Sequence, residues 1–184
     1  MRVITGIAKG RRLETPDGYD IRPTSDRVKE AIFSSIQFDI EGRRILDLFA
    51  GSGQLGIEAL SRGAESAVFV DADKNSLAVT EKNVKLTGFE KQSKLVRSDC
   101  FSFLASNFNK FDIAFLDPPY KAGILEKVLI KTSENMSDYG IIVCEHPTDV
   151  VLPQNVGKFG VVKSTKYGKI MVTVYRIAGE TVGE

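Results

Sequence analysis

The chain has 184 residues, enough for one ordinary domain with a full hydrophobic core but too few for a second large domain. Its 25 lysines and arginines nearly balance 24 aspartates and glutamates, so the net charge of +1 does not by itself indicate a nucleic-acid partner. The two cysteines and the single histidine are not spaced as zinc ligands are, so we expect no metal site. No apolar run approaches the length of a membrane-spanning helix, so we expect a cytoplasmic protein with reduced thiols.

The amino-terminal segment differs in pattern from the middle of the chain. Residues 1–20 are predicted as a small β-hairpin extension of a single domain that spans residues 1–184. The apolar and turn residues of this hairpin are Val3, Ile4, Gly6, Gly10 and Leu13. Thr24 or Ser25 can cap the helix that follows. The apolar face of that helix consists of Val28, Ile32 and Ile36.

In the middle of the chain, strand and helix signals alternate, a pattern that predicts an α/β fold with a largely parallel central sheet. Short apolar runs indicate buried strands at Ile45–Phe49, Ala67–Asp71, Ile113–Asp117 and Ile141–Cys144. Helices are predicted at Leu55–Arg62, Lys74–Thr87 and Ile124–Met136. The last two predicted strands are Phe159–Ser164 and Lys169–Arg176. Because only a short turn joins them, they must pair antiparallel at the edge of the sheet.

The strand Ile45–Phe49 leads into a glycine-rich turn that opens a helix. Gly51 and Gly53 allow a tight turn in which a ligand can approach the backbone, and free N–H groups point out of the helix start. Asp71 ends the next strand, about twenty residues beyond the first glycine, where a residue that binds ribose hydroxyls is expected. These features fit a dinucleotide oxidoreductase, a methyltransferase or a tight turn without any ligand.

Asp47 favours the methyltransferase among these alternatives. A carboxylate directly before the glycines would repel a pyrophosphate but can attract the ammonium group of a methionine-like ligand. Asp99, near another predicted strand end, can accept from an adenine amino group while the backbone N–H of Cys100 or Phe101 donates to the ring. Asp99 fits equally well as the N-cap of a helix over Phe101–Phe108.

The segment Asp117-Pro118-Pro119-Tyr120 carries the most specific chemistry in the sequence. Two prolines cannot continue a strand, so the chain stops abruptly and the preceding carbonyls point into the crevice at the sheet edge. If Asp117 and a carbonyl near Pro118 accept hydrogen bonds from the two N–H groups of an exocyclic amino group, the lone pair of the amino nitrogen turns toward a methyl donor. Tyr120 offers a flat face for a base. The simpler alternative is a proline-stiffened turn beside a core tyrosine.

Both ends of the chain are basic. The first stretch carries Arg2, Lys9, Arg11 and Arg12 without an acid. The second stretch, also without an acid, carries Lys158, Lys163, Lys166, Lys169 and Arg176. If the fold brings these ends onto one face, they form a basic patch, and otherwise they are two solvated edges.

With these residues the chain resembles the class I S-adenosylmethionine-dependent methyltransferases. More narrowly, it resembles the RsmD family of bacterial guanine-N2 methyltransferases of 16S ribosomal RNA. The resemblance extends over nearly the whole chain and rests on Asp117–Tyr120, Ile4–Leu13, Arg22–Glu30 and Asp47–Ala64. It implies a Rossmann-like fold with a seven-stranded, mostly parallel sheet, an antiparallel C-terminal strand and helices on both faces.

The resemblance also implies roles for individual residues. Catalysis and guanine binding are expected from Asp117, Pro118, Pro119 and Tyr120. Contacts with S-adenosylmethionine are expected from Asp47, Phe49, Gly51, Gly53, Asp71, Ala72, Asp99, Cys100 and Asp117. Contacts with 16S rRNA, free or in an assembling small subunit, are expected from Arg2, Lys9, Arg11, Arg12, Arg22 and Tyr120. Gln54 departs from the family, which often has a small residue there.

Three alternatives stay open at this point. An enzyme with the Asp117–Tyr120 segment could instead methylate an amino group of DNA or of a protein glutamine. Such enzymes usually add a recognition domain, which we do not expect here. An NAD-dependent oxidoreductase needs a hydride-transfer partner, for which only His146 is available, and we expect this histidine to be structural. A non-catalytic RNA-binding module would have no use for Asp117 in a stiff turn. We expect a monomer, because no long exposed apolar stripe is evident.

Overall fold

The computed structural model describes residues 1–16, 25–119 and 123–177, and its central feature is one sheet of eight strands. In chain order the strands are β1 (Arg44–Asp47), β2 (Ser66–Asp71), β3 (Ser93–Arg97), β4 (Phe111–Leu116), β5 (Met136–Pro147), β6 (Asn155–Val156), β7 (Phe159–Tyr167) and β8 (Ile170–Ile177). The helices are α1 (Asp26–Ser35), α2 (Gln54–Ser61), α3 (Lys74–Thr87), α4 (Cys100–Ser106) and α5 (Leu125–Ser133). A 3₁₀ turn lies at Glu90–Gln92.

The sheet has the strand order β3-β2-β1-β4-β5-β8-β7-β6. The five strands from β3 to β5 are parallel to one another, whereas β8, β7 and β6 run antiparallel to their neighbours. This confirms the predicted Rossmann-like class, with one strand more than expected because the two-residue β6 pairs with the start of β7. The strand order reverses between β1 and β4, so their carboxyl ends frame a crevice.

Helices cover both faces of the sheet. Adjacent residues in a strand point to opposite faces, so Ile45 belongs to one hydrophobic cluster and Leu46 to the other. The first cluster receives side chains from α1, α2 and α3, and the second receives those of α4 and α5. β4 is buried along its whole length between these layers. Within the described ranges, no helix has the length and apolar character needed to cross a membrane.

Local signals fix the helix boundaries well. Asp73 begins α3 by accepting from a backbone N–H at 2.7 Å, and the helix ends at Gly88, whose φ is 80°. Ser25 begins α1 by accepting from Val28 N–H at 3.3 Å. The alternative cap, Thr24, lies outside the described residues.

Two predicted boundaries near the fifth strand are wrong. The helix expected over Ile124–Met136 ends at Ser133, and the strand expected over Ile141–Cys144 occupies Met136–Pro147. The strand begins early because its first residue pairs with Phe111 of β4, and it ends late because its second half pairs with β8. Pairing within the sheet therefore overrides the local helical pattern.

Residues 1–13 form a hairpin with an antiparallel bridge between Arg2 and Arg12, within the extension predicted over residues 1–20, of which residues 17–20 lie outside the described residues. The backbone N–H of Val3 donates to the carbonyl of Arg11 at 2.9 Å, and that of Leu13 donates to Met1 at 3.0 Å. The side chains that join the first hydrophobic cluster are Val3, Ala8 and Leu13. The hairpin is thus part of the layer that contains α1 and α2.

Glu58 of α2 holds the hairpin in place. Its buried carboxylate accepts from the backbone N–H groups of Ile4 and Thr5 at 2.7 and 3.0 Å. The same carboxylate lies 3.8 Å from the ammonium of buried Lys29 and 2.9 Å from Nε of Arg62. Two segments that carry the family resemblance, one on α1 and one on α2, therefore meet at the buried Glu58 carboxylate, a contact that was not predicted from the sequence.

Ser61 and Gly6 form a second docking point. The Ser61 hydroxyl accepts from Ala8 N–H at 3.0 Å and donates to the carbonyl of Thr5 at 2.6 Å, while the Ser61 carbonyl accepts from Ile7 N–H at 2.9 Å. Gly6 has a φ of 85°, and an added Cβ would lie 1.7 Å from the Ser61 carbonyl oxygen. Glycine is therefore required at this position.

Candidate active site

The predicted acidic residues follow the carboxyl ends of four neighbouring strands. Asp47 ends β1, Asp71 ends β2, Asp99 follows β3 and Asp117 follows β4. Because these strands are parallel, their carboxyl ends lie along the same edge of the sheet. The fold thus brings to one edge four acids that are far apart in the sequence.

Asp117, Pro118 and Pro119 form a corner directly after β4. The corner lies near the middle of the sheet, because β4 is flanked by β1 and β5. Asp117 is half-buried, Pro118 is buried and Pro119 is exposed. Since proline has no N–H to donate, strand pairing stops at Leu116. Tyr120 lies outside the described residues, so its position beside this corner stays a prediction.

A cavity of about 130 Å³ opens beside this corner. Its walls include Pro118, Pro119, Ile124, Glu145, His146 and Val150. Among the described residues, the corner therefore borders open space on the side that faces β5. Glu145 was not predicted as a cavity residue, because its place beside the corner follows from the adjacency of β4 and β5, which sequence order alone does not give.

The loop between β1 and α2, residues 48–53, contains Gly51 and Gly53, and we call it the glycine loop. Its two glycines play different structural roles. Both have positive φ angles, 56° at Gly51 and 75° at Gly53. A Cβ at Gly51 would have no neighbour closer than 4.0 Å, so the backbone there borders open space. A Cβ at Gly53 would lie 2.8 Å from Cγ2 of Thr80, so this glycine allows the loop to pack against α3. A ligand can approach the backbone at Gly51, whereas the close neighbour of Gly53 is the protein itself.

Asp71 connects β2 to the glycine loop. One carboxylate oxygen accepts from Gly51 N–H and the other from Asp73 N–H, both at 2.9 Å. Burial raises the pKa of Asp71, and these hydrogen bonds oppose the rise. A carboxylate has about four acceptor sites, so Asp71 can accept from ligand hydroxyls while it holds the loop.

Asp47 lies beneath the loop. Its buried carboxyl accepts from the N–H of Gly56 in α2 at 2.9 Å. Burial raises the pKa of Asp47 to about 7, the Gly56 bond opposes this rise, and the nearby charge of Asp71 adds to it. The charge of Asp47 near neutral pH is therefore sensitive to any cation that binds close by.

The remaining predicted ligand contacts lie at the same edge. Asp99 caps α4, and the hydroxyl and backbone N–H of Ser102 hold the pKa of this exposed carboxyl below its usual range. The capping role is thus present, and it leaves the side chain accessible. Phe49 is half-buried and Ala72 is exposed. Cys100 is buried, and burial raises the pKa of its thiol.

Gln54, the first residue of α2, presents a buried acceptor without a donor. Its side-chain oxygen has no hydrogen-bond partner within the part of the chain that the structure describes. An unsatisfied buried amide oxygen costs free energy, so a ligand with N–H groups bound against the loop would be favoured by supplying a donor. From the sequence, Gln54 was predicted only to depart from the family pattern; a polar residue where the family often has a small one was the available sign of a ligand contact.

The basic residues of the hairpin are available to a partner. Arg2 pairs with Asp26 at 3.2 Å, but its side chain stays 64% exposed. The other basic hairpin residues, all exposed, are Lys9, Arg11 and Arg12. Arg22 lies outside the described residues.

Four of the five basic residues near the C-terminus divide into two groups, and the fifth, Lys163, is exposed within β7. Lys158 and Arg176 pair with Asp138 and Asp39, away from the active-site edge. Lys166 and Lys169 lie at the opposite end of the β7–β8 hairpin and are exposed. Because two of these cations are already paired with acids, the basic residues of the two chain ends do not all contribute to the single basic patch considered from the sequence.

His146 is held within the sheet by two hydrogen bonds. A carbonyl can only accept, so Nδ1 donates to the carbonyl of Pro147 at 3.0 Å and Nε2 accepts from the Thr173 hydroxyl at 2.9 Å. Burial lowers the pKa of His146 and keeps the ring neutral. With both nitrogens engaged, His146 does not offer the proton transfer that a hydride-transfer enzyme would need.

Comparison with known proteins supports these observations. A family model described as Conserved hypothetical protein 95 matches residues 1–176. A relative from Bacillus subtilis (strain 168), YlbH, whose name proposes an rRNA methyltransferase, is 42% identical over 184 residues, which cover 97% of this chain and 100% of YlbH. The protein named Ribosomal RNA small subunit methyltransferase D from Escherichia coli (strain K12) is 33% identical over 180 residues, which cover 96% of this chain and 89% of the relative.

The fold has a counterpart among solved structures. The structure of yhhF from Escherichia coli, described as a candidate methyltransferase, has a TM-score of 0.87 and 33% sequence identity. The similarity covers 98% of this chain and 99% of yhhF. It therefore includes the hairpin, the glycine loop and the proline corner together.

Proposed function

The chain belongs to the RsmD family of methyltransferases, and from this membership we propose that it methylates ribosomal RNA, transferring a methyl group from S-adenosylmethionine to the exocyclic N2 amino group of a guanine in 16S rRNA. The observation that carries the proposal is the Asp117-Pro118-Pro119 corner, which faces a cavity at the same sheet edge as the glycine loop. Relatives named as rRNA methyltransferases support RNA as the substrate class.

The glycine loop fits S-adenosylmethionine, which supplies an electrophilic methyl group when bound. Asp71 would bind ribose hydroxyls, and Gly51 leaves its backbone accessible. Asp47 would attract the cationic amino group, and Gln54 would gain a donor for its unpartnered oxygen. The other proposed contacts are Phe49, Gly53, Ala72, Asp99, Cys100 and Asp117.

The corner prepares the acceptor nitrogen for reaction. An exocyclic amino group is a poor nucleophile because its lone pair is delocalised into the ring. Asp117 accepts a hydrogen bond from one N–H and a backbone carbonyl near Pro118 accepts one from the other, which draws the nitrogen toward tetrahedral geometry and localises its lone pair for attack on the methyl group. Once the new C–N bond has formed, Asp117 or water takes the proton. Pro119 and Tyr120 would contact the face of the base.

The docked hairpin gives the enzyme its RNA contacts. Glu58 and Ser61 fix it to α2, directly behind the glycine loop, so its cations keep a defined position relative to the corner. The proposed RNA-binding residues are Arg2, Lys9, Arg11, Arg12, Arg22 and Tyr120. We propose that the chain acts as a monomeric single domain on 16S rRNA, free or in an assembling small subunit.

Cofactor binding is expected to depend on pH through Asp47. Its pKa is about 7 without ligand, so a cationic amino group binds better once the carboxyl has lost its proton. The affinity for S-adenosylhomocysteine should rise about tenfold between pH 6 and pH 8, since the ionised fraction rises by that factor around a pKa of 7. Isothermal calorimetry across this range measures the change.

Asp47→Asn is the matched control, because an asparagine oxygen can still accept from Gly56 N–H but cannot ionise. This variant should bind S-adenosylhomocysteine more weakly than the wild type at pH 8, with an affinity that does not depend on pH.

The stability of the wild type without ligand should depend on pH in the opposite direction to its affinity. Because the folded protein holds a proton that the unfolded chain releases, the free energy of unfolding should fall as the pH rises from 4 to 7. A flat binding profile in the wild type would refute the assignment of Asp47.

Methyl transfer from labelled S-adenosylmethionine to different acceptors tests the proposed function. Small-subunit RNA, partly assembled small subunits, duplex DNA and a glutamine-containing protein extract are supplied in parallel. We expect label in the RNA of the first two samples and none in DNA or protein. Label in DNA or protein without label in RNA would replace this proposal by one of the alternative substrates.

A further inference from the structure

The β7–β8 hairpin brings its turn to the active-site edge. β5 ends at this edge with Pro147, which pairs with Ile170 of β8, and Ile170 in turn pairs with Tyr167 of β7. The turn residues Gly168 and Lys169 therefore lie at the carboxyl end of β5, where the cavity is found. Lys158 and Arg176, which are paired with acids, lie at the end of the hairpin opposite this turn, so the charge at the turn is separate from theirs.

Hydrogen bonds fix this turn to the cavity wall. The Ser164 and Thr173 hydroxyls lie 3.0 Å apart, and Thr173 donates to His146, so side chains of β7, β8 and β5 form one chain of contacts. Beyond the strand end, Thr148 N–H donates to the carbonyl of Lys169 at 3.2 Å. The loop after β5 and the β7–β8 turn are therefore held together, and we name residues 148–151 with residues 166–170 the C-terminal arm.

The arm carries positive charge beside the cavity. Lys166 lies opposite Met171, which lies opposite His146 of the cavity wall, so the three side chains share one sheet face. Two strand spacings separate Lys166 from His146, about 10 Å. Lys166 and Lys169 are exposed, and no ion pair joins either of them to another described residue. Asp149 contributes one acid, which leaves the arm with a net positive charge.

The arm also exposes apolar surface at the cavity mouth. Val150 and Val151 both line the cavity, and Val151 is 88% exposed. Val150 is positioned by its N–H, which donates to the carbonyl of Pro147 at 3.1 Å. Cations that can reach phosphates next to an apolar rim suit a single nucleic-acid strand, whose backbone is anionic and whose unstacked bases offer flat apolar faces.

We propose that the C-terminal arm binds the RNA strand adjacent to the target base, on the side of the corner formed by β5. Lys166 and Lys169 contact phosphates, and Val151 packs against a neighbouring sugar or base. This inference rests on the proposed function and adds to it a second RNA-binding surface besides the N-terminal hairpin. Two surfaces on separate elements would fix the register of the strand over the corner, since phosphate contacts position the nucleic acid.

The double variant Lys166→Glu/Lys169→Glu tests the arm. We expect the KM for small-subunit RNA to rise about tenfold or more, and the slope of log KM against log salt to become shallower by about 1.5, because two phosphate contacts are lost. The kcat at saturating RNA and the affinity for S-adenosylhomocysteine should stay at wild-type values. Steady-state kinetics at several salt concentrations and calorimetry provide these measurements.

Lys91→Glu/Lys94→Glu is the matched control. These lysines are also exposed and give the same change in net charge, but they lie near the amino end of β3, at the other margin of the sheet. The control should keep nearly the wild-type KM. Equal KM values in both double variants, or a loss of kcat in the arm variant with KM unchanged, would overturn the proposal. If the wild type methylates no RNA at all, the proposed function fails before the arm is tested.

Discussion

Asp117→Ala is expected to lower the kcat for RNA methylation by about 10³-fold, within the range that a positioned acid–base group contributes. The loss arises because an alanine neither orients the amino group nor accepts its proton. Although Asp117 is one of the proposed cofactor contacts, the affinity for S-adenosylhomocysteine should change less than about threefold, since the carboxylates bonded to the glycine loop and to α2, Asp71 and Asp47, remain in place. Single-turnover kinetics together with calorimetry separates the two quantities.

Asp149→Ala controls for the removal of an acid from this edge of the sheet. Asp149 is exposed beside the cavity residue Val150, so the variant makes the same charge change a short distance from the corner. Because Asp149 belongs to the C-terminal arm, its removal can lower the KM for RNA, but the variant should retain the wild-type kcat at saturating RNA. If Asp117→Ala kept more than a tenth of the wild-type kcat, or if it lost kcat only because it failed to fold, the catalytic assignment of the corner would be wrong.

Gly6→Ala is expected to lower the free energy of unfolding by about 3 kcal/mol or more, the second large effect. The new Cβ would lie 1.7 Å from the Ser61 carbonyl oxygen, so the hairpin has to move away from α2. If the hairpin detaches instead of destabilising the whole protein, kcat/KM for RNA should fall more than tenfold while S-adenosylhomocysteine still binds. Chemical denaturation and methylation kinetics measure both quantities.

Gly10→Ala isolates the effect of the clash from that of backbone strain. Gly10 has a φ of 84°, nearly that of Gly6, but an added Cβ would meet nothing within 4 Å. Strain alone should cost about 1 kcal/mol, with RNA methylation retained. Equal effects of the two variants would show that docking at Ser61 does not position the hairpin.

Features set by neighbouring residues were predictable from the sequence. Helix α3 has the predicted bounds Lys74–Thr87, because its N-cap Asp73 and its terminal Gly88 are local signals. The end of β4 was predictable to within one residue, at Asp117 instead of the observed Leu116, since Pro118 and Pro119 stop a strand in any context. The parallel class of the sheet followed from the alternation of strands and helices.

Features that depend on distant contacts were not predictable. Glu58 binds the N–H of Ile4, 54 residues away in sequence, and no local pattern marks that partnership. Glu145 joins the cavity only because β5 lies next to β4. Met136 was expected in a helix but lies in β5, since pairing with Phe111 outweighs its local preference. The roles of Tyr120 and Arg22 stay predictions, because both fall outside the described residues.

Nucleoside analysis of the methylated RNA tests the central claim most directly. Unmethylated 16S RNA, as free transcript or in partly assembled subunits, is incubated with S-adenosylmethionine and the enzyme, digested, and analysed by mass spectrometry. We predict one N2-methylguanosine per RNA molecule with the wild type and none with Asp117→Ala. A different methylated nucleoside, or undiminished N2-methylguanosine with Asp117→Ala, would contradict transfer to a guanine amino group at the proline corner.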